Sequence, residues 1–434
     1  MNVADAFQKF LEHIKIDNAE TISLRYGEIT ATLNKAFRDT ESKTANSLQV
    51  GSYGRWTAIK GISDLDMLYI MPVGSWDSYN VDGGQYNLLS DTAKAIKARY
   101  PTTTVKVDRL VVCVKYTNFH IEVQPVFEQA DGSFKYPDTY DGGGWKITRP
   151  RDELQAMMDV NAEKNRNLRR LCKMARAWKN KHGVGMGGLL IDTLAHNFLK
   201  STQEYDTKSY LYYDYMSRDF FEYLAGLPDQ DYYAALGSGQ RVKVKKKFQK
   251  KAAKARDLCL EAIEAAGTND ESDLWRKLFG RGFPLETVEV AKAFVVMDSR
   301  AAKNTEEFIE DKFPIDIRHD IELDCNVTQN GFRPASLSDM LNRRVFLKAN
   351  KSLDFFIKSH DIPGEFRLFW KVKNRGVEAV RRDNIRGQII SDAGQRRKSE
   401  ATHFRGDHIV ECYAVQDDVV VATERIHVPI SEDA

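Results

Sequence analysis

Two acids, Asp64 and Asp66, stand two residues apart at the head of a short apolar run, LDMLYIM, bounded by Ser63-Asp64 on one side and Pro72 on the other. The run is too brief for a typical helix, so residues 65–71 read as a strand, and on a strand positions i and i+2 project to one face. Carboxylates at this spacing form a hard-oxygen site suited to Mg²⁺, which takes few protein ligands and completes its octahedron with water and phosphate oxygens. A third acid lies in FHIEVQPVF, where Phe119, Ile121 and Val123 alternate with His120, Glu122 and Gln124. An apolar face turned to a core leaves Glu122 on the opposite face. If the two strands are neighbours, Asp64, Asp66 and Glu122 converge as catalytic residues and as ligands for two Mg²⁺, with Mn²⁺ as an alternative ion, for an in-line displacement at phosphorus.

Ahead of the acids stands Gly51-Ser52. Glycine lets backbone amides approach a phosphate, and a serine at a helix start offers its hydroxyl and the exposed N–H groups of the first turn. A DxD pair, a GS turn or an acid on a strand edge is each common alone. Their succession, with the acids on apolar strands, is rare and points to a functional site for displacement at phosphorus.

The rest of the chain sets this segment in an α+β protein. Residues 5–45 read as one long opening helix, 105–115 and 117–127 as adjacent strands, and the stretch after the YDGGGW loop as helical to about 310. In it Leu168, Leu171, Ala175 and Trp178 form an apolar stripe flanked by Arg169, Lys173 and Arg176. From about 315 the texture turns to strands, closing with HIVECYAV, a QDD turn and VVVAT as a hairpin. The expected division is therefore 1–310, with a catalytic sheet at about 46–150 and a helical lobe at about 151–310, followed by a smaller β-rich domain at 311–434. A chain of 434 residues accommodates two or three such units.

Charge adds a second theme. The net charge is only +2, yet 161–181 is strongly basic and RVKVKKKFQKKAAKAR at 241–256 has no acid at all. Such stretches attract polyanions or coat a solvated helix. Ser238, Arg241 and Lys243 are candidates to line a nucleotide pocket, and the aromatics of 210–224 to stack on a base or fill a core. Five scattered Cys without a CxxC pair give no support to a zinc ribbon, and no apolar run reaches the roughly 18 residues of a membrane span. The expectation is a cytoplasmic protein with reduced thiols and no membrane partner.

On Gly51, Ser52, Gly54, Thr57, Gly61, Ser63, Asp64 and Asp66, with the strand carrying Glu122, the chain resembles the polymerase β-type nucleotidyltransferases, in the branch of oligoadenylate synthase, cyclic GMP-AMP synthase and bacterial CD-NTases. The likeness covers about residues 1–310. It implies the polymerase β-like sheet with a helical lobe, and a reaction that joins NTPs, ATP or GTP or both, into a short, cyclic oligonucleotide second messenger in antiphage defence. By position in the helix LCKMARAWKN, Lys173 and Arg176 would hold the donor triphosphate. The family's third acid is usually Asp, and here it is Glu122. Residues 311–434 resemble the sensor domain found behind adenylyl or guanylyl cyclases and second-messenger synthases, which implies an unidentified ligand for that domain. Trp370, Lys371, Arg375, Arg386, Gly387, His403 and Arg405 are its pocket candidates by residue type. Two other readings stay open: transfer of a nucleotide onto an RNA end or protein hydroxyl, with 241–256 as docking surface, and a module that binds nucleotide without chemistry. Nucleic acid is a possible but not a required partner.

Overall fold

The computed structural model describes residues 2–430, apart from 118, 286–306, 329–333, 344–346, 348–350, 375–376, 383, 385 and 403–405. Two helices form where one was expected: α1 (Val3–His13) and α2 (Ala19–Arg38). The apolar stripe over 5–45 is in fact two stripes serving two cores. Phe7 and Phe10 pack on Phe279 and Phe283, whereas Ile22, Ile29 and Leu33 lie with the residues of the first sheet. The Asn2 side chain accepts the Asp5 N–H at 2.9 Å to start α1, and Asp39 in the left-handed region (φ 52°) stops α2.

The first sheet runs in the order β1 (Ser47–Gln49), β2 (Asp64–Ile70), β5 (His120–Glu128), β4 (Val111–Lys115), β3 (Thr104–Asp108). A hairpin of β6 (Phe134–Asp138) and β7 (Gly144–Thr148) joins it through the end of β5. The stretch 105–115, expected as one strand, is itself the β3–β4 hairpin, because the chain turns at Arg109-Leu110. Among the described residues of this sheet, β2 and β5 are the pair that runs in parallel. Between β1 and β2 lies the four-residue α3 (Gly51–Gly54), and α4 (Trp76–Tyr79) and α5 (Gly84–Arg99) follow β2. Leu65, Met67, Val112, Val114, Ile121 and Val123 form one buried core with Ile29 and Leu33 of α2 and Leu88 and Ile96 of α5. Each fully buried side chain of this size contributes about 1.5–3 kcal/mol, so the helices fix which face of β2 and β5 is hidden. Alternation then sends Asp64, Asp66, His120 and Glu122 to the other face.

The helical lobe comprises α6 (Pro150–Glu163), α7 (Asn167–His182), α8 (Gly188–Lys200), α9 (Tyr213–Gly226), a small hairpin of β8 (Tyr232–Ala234) and β9 (Arg241–Lys243), α10 (Gln249–Glu264) and α11 (Asn269–Phe279). Leu168, Leu171, Ala175 and Trp178 of α7 are all buried. Of the 210–224 aromatics, Tyr213, Phe220 and Phe221 fill this core, while Tyr212 and Tyr215 are exposed.

The chain divides into two compact units, residues 1–178 with 186–284, and residues 179–185 with 285–434. The second unit holds two four-stranded sheets. One orders β11 (Ala335–Ser336), β10 (Ile321–Thr328), β12 (Ser352–His360) and β15 (Arg397–Ala401). The other orders β14 (Arg386–Ser391), β13 (Arg367–Lys373), β16 (Gly406–Gln416) and β17 (Val419–Ile430). The larger apolar core draws Cys325, Phe355, Trp370 and Cys412 from both sheets, and a smaller one gathers Ile309, Ile317, Ile389, Tyr413, Val415 and Val420. The QDD turn between β16 and β17 has positive φ at Asp417 (52°) and Asp418 (63°), as a tight hairpin of right-twisted strands requires. Trp370 is in the core, its Nε1–H donating to Asp392 Oδ1 at 2.9 Å; Lys371 is buried 3.5 Å from Glu411; Arg386 pairs with Glu400; Gly387 is buried. Arg375, His403 and Arg405 lie outside the described residues.

Residues 179–185 belong to this unit through the end of α7. Lys179 Nζ lies 3.5 Å from Asp316 Oδ1, and Gly183, at φ 55°, sits so close to the Thr423 carbonyl that a Cβ would stand 2.2 Å from its oxygen. Burial first, and then the charge of Arg425, push the Lys181 ammonium down to about 8. Among the described residues no helix is long and apolar enough to cross a membrane.

Candidate functional site

The parallel register of β2 and β5 sets Asp64 directly opposite His120 and Asp66 directly opposite Glu122. All four are half-buried and alternate with buried apolar neighbours, so they share the face turned away from the core. His120 Nε2 lies 2.6 Å from Asp64 Oδ1 and 3.5 Å from Glu122 Oε1. Ligand atoms of Asp64, His120 and Glu122 fall within 4.8 Å of one another. Gly51 closes the group from the other side: at φ 63°, a Cβ there would stand 1.8 Å from Asp66 Oδ2. Only glycine lets the backbone come so near the carboxylate. Two carboxylates this close, with the acid of Asp66 beside Glu122 in the register, repel one another unless a cation lies among them, and with one imidazole they make a donor set that fits a divalent ion. The sequence pattern put His120 on this face but assigned it no role.

The segment after Gly51 is held by an internal ion network. Ser52 O accepts the N–H groups of Thr57 and Ala58 at 2.9 and 3.1 Å, folding residues 52–58 into a compact loop. Arg55 Nε donates to Asp192 Oδ2 at 2.8 Å and its Nη1 to Glu153 Oε2 at 3.1 Å, while Thr57 Oγ1 donates to Asp192 Oδ2 at 3.1 Å. Arg176 completes the arrangement from α7, bidentate on Asp192 at 2.6 and 3.0 Å, with a further bond to the Gly188 carbonyl at 3.1 Å. Asp192 has no exposed surface. Burial alone would raise its carboxyl pKa, but Arg176 and Arg55 outweigh it and hold it down to about 2. Arg176 is thus buried and spent on Asp192, where the apolar stripe of α7 placed it on the polar flank. Two of its donors answer a carboxylate of the lobe, which joins α7 and α8 to the loop that follows Ser52.

Between the two anchored residues, Arg55 and Thr57, Trp56 takes a left-handed backbone (φ 58°) and is 53% exposed. For a bulky residue this conformation costs on the order of 1–3 kcal/mol and persists only where its surroundings impose it. The Arg169 guanidinium lies 4.3 Å from the centre of the Trp56 ring, and its buried Nε has no hydrogen-bond partner among the described residues. One turn along α7, Lys173 has no carboxylate partner among the described residues. Burial first, and then the charges of Arg169 and Lys15, lower its pKa. A half-buried ammonium crowded by cations is a place for an anion. Ser238 Oγ donates to Glu153 Oε1 at 3.3 Å, and Arg241 lies over the Tyr232 ring at 3.8 Å, so both have partners within the lobe. Neither Trp56 nor Asp192 was legible as a site residue, since nothing in a linear string marks a positive φ or a partner on a distant helix.

Comparison with solved structures gives a likeness of fold. CdnC from E. coli MS115-1, solved with ATP, is 14% identical and matches over 65% of this chain and 99% of that chain, with a TM-score of 0.50. The same enzyme in its HORMA-deltaN complex gives 13%, 64%, 98% and 0.50. Apo DncV from Vibrio cholerae gives 14%, 55%, 69% and 0.43. No curated protein matches the sequence. Residues 1–161 match the family described as Second Messenger Oligonucleotide or Dinucleotide Synthetase domain, and 303–431 the Adenylyl/Guanylyl and SMODS C-terminal sensor domain. With the paired acids on β2 and β5 inside the first match and the two-sheet unit inside the second, the chain belongs to the CD-NTase nucleotidyltransferases that carry a C-terminal sensor domain.

Proposed function

We propose that this chain joins ATP, GTP or both into a cyclic oligonucleotide second messenger with release of pyrophosphate, in the bacterial cytoplasm and in defence against phage. The observation that carries the chemistry is the register of Asp66 against Glu122, with Asp64 and His120 next along the same face. Asp64, Asp66 and Glu122 would hold two Mg²⁺, with His120 beside them; bound there, the ions neutralise charge on the attacking and leaving oxygens. Ser52, through its hydroxyl, and the amides following Gly51 bind the β- and γ-phosphates, and Lys173 neutralises the tail. Glu122 takes the proton of the acceptor ribose hydroxyl as that oxygen attacks the α-phosphorus. Arg176 acts through Asp192, keeping the Ser52–Ala58 loop at its station. The catalytic domain spans 1–310 and the domain at 311–434 senses a ligand and controls it. Ser238 and Arg241, on the small hairpin's side of the lobe, contribute to nucleotide binding.

The test is direct. With Asp64→Asn and Asp66→Asn together, pyrophosphate release from mixed NTPs falls to background at an unchanged circular dichroism spectrum, and turnover that persists defeats the assignment. Mass spectrometry of a phosphatase-resistant product identifies the ring. A second reading, transfer onto an RNA end or a protein hydroxyl, is favoured by one observation: Lys243, Lys245, Lys246, Lys247, Lys250 and Lys254 are all exposed. Product formed from NTPs alone decides for the first reading; formation only on added RNA or protein, with a steep salt dependence, decides for the second.

A further inference from the structure

We infer that Trp56 is a stacking platform for a nucleobase of the bound substrate, a role that rests on the nucleotidyltransferase reading. The residue carries a bulky side chain where the backbone favours glycine or asparagine, and its neighbours in sequence explain why the strain persists: Arg55 and Thr57 are both tied to Asp192. The loop therefore holds the indole out, 53% exposed, four residues beyond the Gly51-Ser52 turn proposed to take the phosphates. A tryptophan forced outward at a conformational cost is not there to fill a core, since burial offsets none of that cost on its exposed side. Its orientation is fixed by Arg169, whose guanidinium stands 4.3 Å from the ring centre.

The chemistry around the ring selects the ligand. An indole with a cation at 4.3 Å, on a helix whose next turn carries the half-buried Lys173, offers an aromatic surface next to positive charge. That combination fits a molecule with a flat π-system and phosphates, which is a nucleotide, and fits poorly to a lipid or a bare anion. Stacking on indole tolerates any base, so Trp56 sets affinity and orientation of the base rather than its identity.

Three variants of the full chain test this. Trp56→Asn keeps a residue that accepts positive φ and removes the aromatic face; Trp56→Phe keeps the face; Trp56→Gly removes both side chain and strain. The expected outcome is a KM for NTPs raised roughly 10-fold in the Asn and Gly variants, restored to within about 2-fold in the Phe variant, with kcat little changed. Melting temperatures of the Asn and Gly variants hold at or above the wild-type value, since the strain is relieved, which separates loss of binding from loss of fold. Binding is also read without turnover, as the difference in fluorescence between wild type and Trp56→Phe: the other five tryptophans cancel, and ATP or GTP quenches the remainder. Wild-type KM in the Asn variant together with no quenching overturns the platform. Quenching by nucleotide in a chain that releases no pyrophosphate sinks the proposed reaction and leaves the platform standing.

Discussion

Gly51 shows how much one missing methyl can decide. Its hydrogen faces the Asp66 carboxylate at a distance no Cβ tolerates, and its φ of 63° is one that a side chain resists as well. Gly51→Ala is therefore expected to push Asp66 out of line with Glu122. A displacement of this size costs about 100-fold or more in kcat, measured as pyrophosphate release, with a modest fall in melting temperature. His120 belongs to the same scale. Its imidazole spans Asp64 and Glu122, so His120→Ala releases both carboxylates from their shared neighbour. The half-saturating Mg²⁺ or Mn²⁺ concentration, read as the ion's effect on melting temperature, should rise about 10- to 100-fold. An unchanged metal titration would make His120 a bystander.

Among elements, the ion network of α6, α7 and α8 around Asp192 is the joint between lobe and loop. Asp192→Asn leaves Arg55 and Arg176 buried with half their compensation gone, and is expected to cost about 3–5 kcal/mol in denaturant unfolding. The pH dependence follows from the same carboxylate. Its folded pKa of about 2 is below its unfolded value, so its stabilisation is complete above about pH 4 and is lost as pH falls toward 2, to the extent of about 2 kcal/mol. The Asn variant should show a correspondingly shallower loss of stability over that window. The same joint shows where sequence reading stops. The strands of Asp64 and Glu122 announce themselves through an alternation a few residues long, and their pairing turns one predicted face into the observed site. Arg55 and Asp192, by contrast, are 137 residues apart, and the arginine at 176 looks like any other cation on a helix flank until its partner is known. The opening helix divides for a related reason: periodicity records that residues are buried but not in which core.

At the scale of the molecule, the larger apolar core of the second unit draws on both of its sheets and includes the buried Trp370. Trp370→Ala should cost about 3–5 kcal/mol and lower the melting of that unit, because the cavity cannot close between two paired sheets. This tryptophan, offered by residue type as a pocket candidate, is held by packing and by Asp392. The unit is also not one continuous stretch of chain. Residues 179–185 fold with 285–434, and residues 186–284 intervene. A gene fragment encoding 311–434 therefore lacks Lys181 and the Gly183 that seats on Thr423, and should be less soluble and melt lower than the same unit in the whole protein. No single scissile peptide bond parts the protein into its two halves: the chain passes between them three times, so limited proteolysis must nick it three times, and a trimmed sensor keeps its seven-residue guest only by holding on to a peptide cut from the middle of its neighbour's sequence.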